Sequence, residues 1–337
     1  MRHRVIIAIG LLLGITASCK KQEVGPQPPA YELTVLIGTD GFGDGNYNDN
    51  MLAGILEFCK EHRNVSLSLQ QPESIADAGL RLDAWLSDKG TEDRALVLAS
   101  NSYKPILQGK PAPEKGRVLI LETEDSFPGH SSYIIRRYGA SWLCGAMAKD
   151  FTPFIVKAMD GNDMIDESAR GFLDGFRTVS DEYSETWTLA DGPEGFSMRD
   201  STYRFVFKKL IEFEDSHDYA HDILFFPLLG GSLPGIFDFS RYNGFVSIAG
   251  MDVDCSVYNP WIVPYSLCIN NNLVLKTYLE DWLEGRPWPE HAQFDLESGF
   301  VQVLVNRRFY NSQIDLLEKY EEYYPVAVEK EKEYEME

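Results

Sequence analysis

Asp40, Asp44, Tyr47 and Asn48 stand within nine residues of one another in the stretch TDGFGDGNYNDNMLAG, residues 39–54. Acids and amides at this density can accept and donate hydrogen bonds, and the ring of Tyr47 offers a flat apolar face to a planar ligand. The stretch carries no Lys or Arg. That argues against a phosphate cradle and for a neutral ligand bearing hydroxyls or amides. Gly41, Gly43 and Gly45 let the backbone turn tightly and leave room for a close approach. The run before the loop, LTVLIG at 33–38, reads as a buried strand, and MLAGILEFC at 51–59 has its apolar residues at helical spacing. The loop therefore sits at the carboxyl end of a strand, where open α/β sheets bind their ligands. Asn101, Asp160, Phe226, Trp261 and Asp252 fall at other expected strand ends or loops, and Gly230 and Gly231 follow an apolar strand. A carboxylate that accepts two adjacent hydroxyls forms charge-assisted bonds, stronger than neutral ones. Each residue also has a plainer use: Tyr47 and Phe226 in packing, Asp40, Asn48, Asp160 and Asp252 in turns and caps.

Other chemistries fit less well. Asp44, Asn46, Asn48 and Asn50 alternate as in a calcium loop, but the glycine at the sixth position is missing and Ile55 stands where a bidentate Glu belongs. His217 and His221 are four apart, yet Asp218 replaces the Glu of a zinc-peptidase helix. The Gly230-Gly231-Ser232 turn lacks the second glycine of a nucleophile elbow. No metal or cofactor is expected.

The elements that must position these groups alternate. Strands are expected at 65–70, 95–99, 118–121, 133–135, 154–159, 185–189, 223–229, 245–249 and 262–267. Helices are expected at 74–89, 140–150, 165–179, 203–212, 234–241 and 273–284. Repeated βαβ units predict parallel sheets covered by helices. A chain of this length exceeds one comfortable core, so two lobes with a cleft between them are expected. The last twenty residues hold eight Glu and three Lys and read as a frayed helix end and solvated peptide.

The N-terminus and the charge set the compartment. Two arginines precede VIIAIGLLLGI at 5–15, too short to span a bilayer and suited to a signal-peptide core. Thr16-Ala17-Ser18-Cys19 resembles a bacterial lipoprotein cleavage site, which implies lipid on Cys19 and a membrane anchor, and the proline-rich 20–30 reads as a tether. The chain has net charge −21; without residues 1–18, which hold two Arg and no acid, 29 basic residues face 52 acidic ones. That excludes a nucleic-acid backbone as the main partner. Cys59 and Cys144 read as small core residues, while pairing of Cys255 with Cys268 is left open.

Taken together, these segments resemble the basic membrane protein family, the nucleoside-binding lipoproteins of bacterial ABC importers. The similarity lies in DGFGDGNYN at 40–48 followed by Gly54, GASWLCGAM at 139–147, KAMDGNDMIDESARGFLDGF at 157–176, FPLLGGSLPG at 226–235 and Gly250-Met251-Asp252. Residues 266–278 and a hairpin at 285–299 complete it. The order is that of the family over nearly the whole mature chain. Where the family carries a Lys near the ribose, this chain reads Leu267-Cys268-Ile269-Asn270. The resemblance implies a type I periplasmic-binding-protein fold, two doubly wound parallel-sheet lobes joined by three crossovers. The expected organisation is a signal peptide at 1–18, a tether at 19–31, lobe 1 at 32–137 plus 270–289, lobe 2 at 138–269 plus 290–325, and an acidic tail at 326–337. It also implies roles: Tyr47 stacking on the base, Asn48 and Asp40 bonding the ligand, Gly230 and Gly231 bringing backbone close, and Asp252 holding ribose hydroxyls. The function so implied is non-enzymatic capture of a nucleoside-like small molecule for an ABC permease at the cell envelope. A hydrolase using Asp40, Asp44 and Asp252, or a sensor without a transporter, is the alternative.

Overall fold

The computed structural model describes residues 30–335 except 40, 44, 46, 89, 91–92, 216–221, 245 and 310–314. The signal peptide, Cys19 and nearly all of the tether lie outside the described residues, as do Asp40, Asp44, His217 and His221. Tyr31, expected to end the tether, opens the first strand instead.

The first lobe is built on a six-stranded parallel sheet in the order β12-β5-β4-β3-β1-β2. Its strands are β1 (Tyr31–Ile37), β2 (Val65–Gln70), β3 (Arg94–Ala99), β4 (Arg117–Ile120), β5 (Ser131–Ile135) and β12 (His291–Phe294). Both faces are covered, so the strands are apolar on both sides. Leu33, Val35, Ile37, Ala95 and Val97 face the main core, whereas Leu36, Leu96, Leu98, Val118 and Ile120 face a second one with Ala78 and Leu82. Helix α1 (Tyr47–Glu61) buries Met51, Gly54, Ile55 and Phe58, a single stripe at helical period. Helices α2 (Ile75–Ser87) and α3 (Lys104–Leu107) close the opposite face.

The second lobe carries a parallel sheet, β7-β6-β8-β9, formed by β6 (Phe151–Lys157), β7 (Glu185–Thr188), β8 (Asp222–Leu228) and β9 (Val246–Ile248). A three-stranded sheet continues it: β10 (Gly250–Asp252), β11 (Tyr265–Ile269) and the antiparallel β13 (Val301–Val305). Only Ala249 separates β9 from β10, and its N–H donates to Phe225 O at 2.8 Å, which carries the pairing across the break. Its helices are α4 (Tyr138–Met147), α5 (Asp163–Val179), α6 (Arg199–Glu214) and α7 (Pro234–Ser240); α8 (Asn271–Leu283) packs on α1 in the first lobe, and α9 (Leu316–Glu335) ends the described chain.

Three crossovers connect the lobes: Arg136–Arg137 between β5 and α4, Asn270 between β11 and α8, and 295–300 between β12 and β13. They are bonded to one another. Arg136 N donates to Phe294 O at 2.7 Å, and Asn270 N donates to Phe300 O at 2.8 Å.

The structure corrects three further expectations. Residues 285–299 form no hairpin, and β12, assigned to lobe 2 with 290–325, pairs parallel with β5 in the first sheet. Pro287 and Pro289 lack the N–H donors that a hairpin ladder needs, and α8 has already returned the chain to that sheet. The acidic tail, too, is largely helix. Within α9, Leu316, Ala327, Val328 and Glu331 are buried, and Tyr320, Tyr323, Tyr324 and Tyr334 pack against the core. Its charges occupy the outer face of an amphipathic helix.

Helices α4 and α5 touch through glycines. A Cβ on Gly145 would stand 1.9 Å from Phe172 O, and one on Gly175 would stand 2.0 Å from Trp142 O. All ten residues of α4 are buried. Gly175→Ala gains about 1 kcal/mol of helix propensity but must push two backbones apart. We expect a net loss of at least about 2 kcal/mol in urea unfolding.

Candidate functional site

The carboxyl ends of β1, β3, β6, β8 and β10 face one another across the gap between the lobes, and a cavity of about 620 Å3 lies there. That size suits a small organic ligand. The first lobe contributes the glycine loop, Tyr47, Asn48, Ser100, Asn101 and Ser102. Asp49, the third residue of α1, shapes the loop: its two carboxylate oxygens accept from Gly43 N at 2.8 Å and Gly45 N at 2.7 Å. Gly41, Gly43 and Gly45 all have positive φ, so the turn depends on them.

The second lobe presents a different wall. Met159, Met164, Ile165, Phe196, Leu228, Leu229 and Met251 make it largely apolar, with Asn162, Ser168 and Ser197 among them. Gly230 and Gly231 also line it, Gly230 at φ 50°. Asn162 is the N-cap of α5, its Oδ1 accepting from Ile165 N at 3.2 Å. At the mouth the Tyr258 hydroxyl of the second lobe donates to Gly45 O of the first at 3.1 Å.

Charge collects at the floor. Arg137 and Asp252 line the cavity. Arg137 is buried, donates to Ile135 O at 2.7 Å and pairs with the buried Glu122 at 2.9 Å. Burial alone would lower the Arg137 pKa, but the Glu122 carboxylate outweighs it and the pKa is raised. Burial raises the Tyr47 phenol well above its usual range, and the negative charges of Glu122 and Asp252 add to this. Tyr47 therefore keeps its proton and remains a donor. Asn271 is its neighbour, and its Oδ1 accepts from Tyr133 Oη at 2.8 Å. Glu122 (φ 57°) and Asp252 (φ 67°) are the described non-glycine residues with positive φ.

Tyr47, Asn48, Asn101, Gly230, Gly231 and Asp252 thus line one cavity, while Asp40 and Asp44 lie outside the described residues. Phe226 and Asp160 do not line it, contrary to expectation. Phe226 is fully buried within the second lobe, stacked on Phe172 with centroids 4.3 Å apart. It precedes the end of a strand covered on both faces, where side chains enter the core. Asp160 is exposed, paired with Lys157 and accepting from Thr188 Oγ1 at 3.1 Å. The Lys157 ammonium holds its carboxyl below the usual range. Trp261 is 73% exposed on the surface, and Cys59, Cys144, Cys255 and Cys268 are free thiols.

Sequence reasoning missed Arg137, Ser100, Asn162 and the methionines. Arg136-Arg137 directly after an apolar strand was a usable sign. The methionines carried none, because they read as ordinary core residues.

No family model matches the chain, and no curated protein does. Solved structures do share its fold. An ABC transporter solute-binding protein from Aeropyrum pernix K1 superposes with TM-score 0.67 at 18% identity, over 81% of this chain and 76% of that one. An ABC transporter periplasmic solute-binding protein from Actinobacillus succinogenes 130z, with bound D-allose, gives 0.63 at 12% over 82% and 98%. A transcriptional activator of the comK gene from Bacillus halodurans gives 0.65 at 11% over 88% and 97%. The fold is that of a type I periplasmic binding protein. Within it, among the described residues, no helix is long and apolar enough to cross a membrane.

The Arg137–Glu122 pair makes the floor of this binding-protein fold sensitive to single changes. Arg137→Met leaves a buried carboxylate without its counter-charge and is expected to cost about 3–5 kcal/mol of stability. Adding Glu122→Gln to the same chain should restore more than half of that loss in denaturant titrations.

Proposed function

We propose that this protein is a lipid-anchored substrate-binding protein that captures a nucleoside or similar small polar ring between its lobes and delivers it to an ABC importer. The observation that carries the reading is the interlobe cavity with unlike walls. Hydrogen-bonding groups of Ser100, Asn101 and Asn48 stand on one side, and apolar Met159, Met164 and Phe196 stand on the other. A ring with a polar edge and an apolar face matches such walls. Tyr47 offers the stacking surface, and Asp252 is the acceptor for adjacent hydroxyls. Arg137 adds little net charge because Glu122 balances it, which suits an uncharged ligand.

Two similar structures are solute-binding proteins of ABC transport systems, one of them holding D-allose. They lend support to capture and transport, and they make a monosaccharide the main rival ligand. The comK activator favours a second reading, a ligand sensor without a permease. Of the three acids a hydrolase would use, Asp252 lines the cavity, and Asp40 and Asp44 lie outside the described residues. Anchoring rests on the lipoprotein-like Cys19 site in the sequence. Cys19→Ser should move the protein from the membrane fraction to the soluble one.

The test is a thermal-shift screen of nucleosides, bases and monosaccharides, followed by calorimetry. A nucleoside at a hundredfold excess over its dissociation constant should stabilise the protein by about 2.7 kcal/mol without being consumed. Tyr47→Ala should weaken it at least about tenfold. A response to monosaccharides alone would replace the nucleoside assignment, and a response to nothing would end the capture reading.

A further inference from the structure

Helix α9 places one buried carboxylate between the turn that follows the first crossover and the third crossover. Glu331 Oε1 accepts from Gly139 N at 3.2 Å, and Glu331 Oε2 accepts from Leu296 N at 2.7 Å. Gly139 lies in the first turn of α4, just beyond the first crossover, and Leu296 lies in the third. The contact is tight. A Cβ on Gly139 would stand 2.8 Å from Glu331 Cβ and 3.0 Å from Ala327 O. Three residues on, Tyr334 stacks on Tyr138 at 4.1 Å with the rings 1° from parallel, and the Arg170 guanidinium lies 5.0 Å from the Tyr334 centroid. Asn270 ties the second crossover to the third, so a group that holds the first and third bears on all three.

We propose that Glu331 is a positioning residue of the hinge: by accepting one N–H from the helix turn that follows the first crossover and one from the third crossover, its carboxylate sets the angle between the lobes and so the affinity of a cleft it never touches. The inference rests on the capture reading of that cleft. The Tyr258–Gly45 bond across the mouth marks the braced arrangement as one in which the lobes already meet. Holding it lowers the cost of closing on a ligand.

The surroundings make the brace proton-dependent. On α5, Glu167 Oε1 accepts from Arg137 N at 2.7 Å and Tyr138 N at 3.0 Å, and Glu167 Oε2 lies 3.6 Å from Arg136. The third crossover adds Asp295 and also Glu297, which pairs with Lys332 at 2.8 Å. On α9 itself, the Tyr324 hydroxyl donates to Leu296 O at 3.5 Å. Burial pushes the Glu331 carboxyl up to about 7 against the pull of its two backbone donors, with Asp295 and Glu167 adding to the rise. Above that pH both oxygens accept. Below it one oxygen carries a proton that faces an N–H, and the brace loosens. By linkage the raised value also means that the acid form fits the folded state better. This contribution to stability is full below about pH 4.5 and is lost as the pH rises through 7. The brace at neutral pH is thus held at some expense to stability.

The experiment compares the full-length wild type with Glu331→Gln at pH 8 and pH 6. The ligand-free lobe separation is read by small-angle X-ray scattering, and affinity is read by calorimetry with adenosine, which is uncharged at both values. Expected in the wild type is a larger radius of gyration at pH 6 and an affinity up to about tenfold weaker, following the protonated fraction. Glu331→Gln should show the pH 6 radius and the weaker affinity at both. Glu331→Asp, which keeps the acid but is too short to reach both donors, should behave likewise and serves if the Gln variant does not fold. Identical pH profiles in variant and wild type would overturn the proposal. If the ligand-free radius responds as expected while adenosine fails to bind, the hinge assignment stands and the nucleoside reading falls.

Discussion

Everything in this molecule depends on satisfying the backbone N–H groups where the chain first crosses between lobes. The N-terminus of α4 has no capping side chain of its own, and it is buried, so water cannot take the bonds. Two carboxylates from other helices do so. Glu167 takes Arg137 N and Tyr138 N, and Glu331 takes Gly139 N. Negative charge at a helix N-terminus also complements its dipole. The arrangement gives the glycines of α4 and α5 their role. Glu167 reaches the crossover only because α5 lies against α4 at backbone contact, through Gly145, Gly171 and Gly175.

The same constraint orders the cleft. Arg137 belongs to the crossover, so its guanidinium is delivered to the cavity floor by the element that links the lobes. Glu122, from the end of β4, neutralises it there. What remains is a floor of paired charge with Asp252 beside it, a first-lobe wall of small polar side chains with the rings of Phe42 and Tyr47, and a second-lobe wall mostly of methionine and aromatic carbon with Asn162, Ser168 and Ser197 among them. Closure would bring the two walls onto opposite sides of a guest.

The sequence made the parts of this site that follow strands easy to find. Asn101, Gly230, Gly231 and Asp252 lie just past or at the end of an apolar run, Tyr47 and Asn48 open the helix that follows one, and position alone brings such residues to the cleft. Phe226 shows the limit of that rule. A strand covered on both faces has no polar alternation, so the pattern cannot tell a residue turned to the core from one turned to the ligand. The tail shows another limit. Counting Glu and Lys over 318–337 hides that Tyr320, Tyr324, Ala327, Glu331 and Tyr334 recur at helical spacing, and an acid on the buried stripe is hard to tell from its solvated neighbours. Gly139, by contrast, was visible as part of a small-residue segment, though its reason, contact with a helix nearly two hundred residues away, was not.

Strain gives the final link between these features. Glu122 and Asp252 both adopt left-handed backbone conformations that cost of order 1 kcal/mol or more without glycine. One lies just past β4 in the first lobe, buried against Arg137, and the other lies at the end of β10 in the second, where it lines the cleft. Strain of this kind persists only where the surroundings fix it. At Glu122 the fixing partner is Arg137, at the crossover held by Glu167 and, through Gly139, by Glu331. The hinge contacts and the charge pattern of the cavity are therefore one mechanical unit, and a change in the angle of the first crossover moves the Arg137–Glu122 pair together with the lobes.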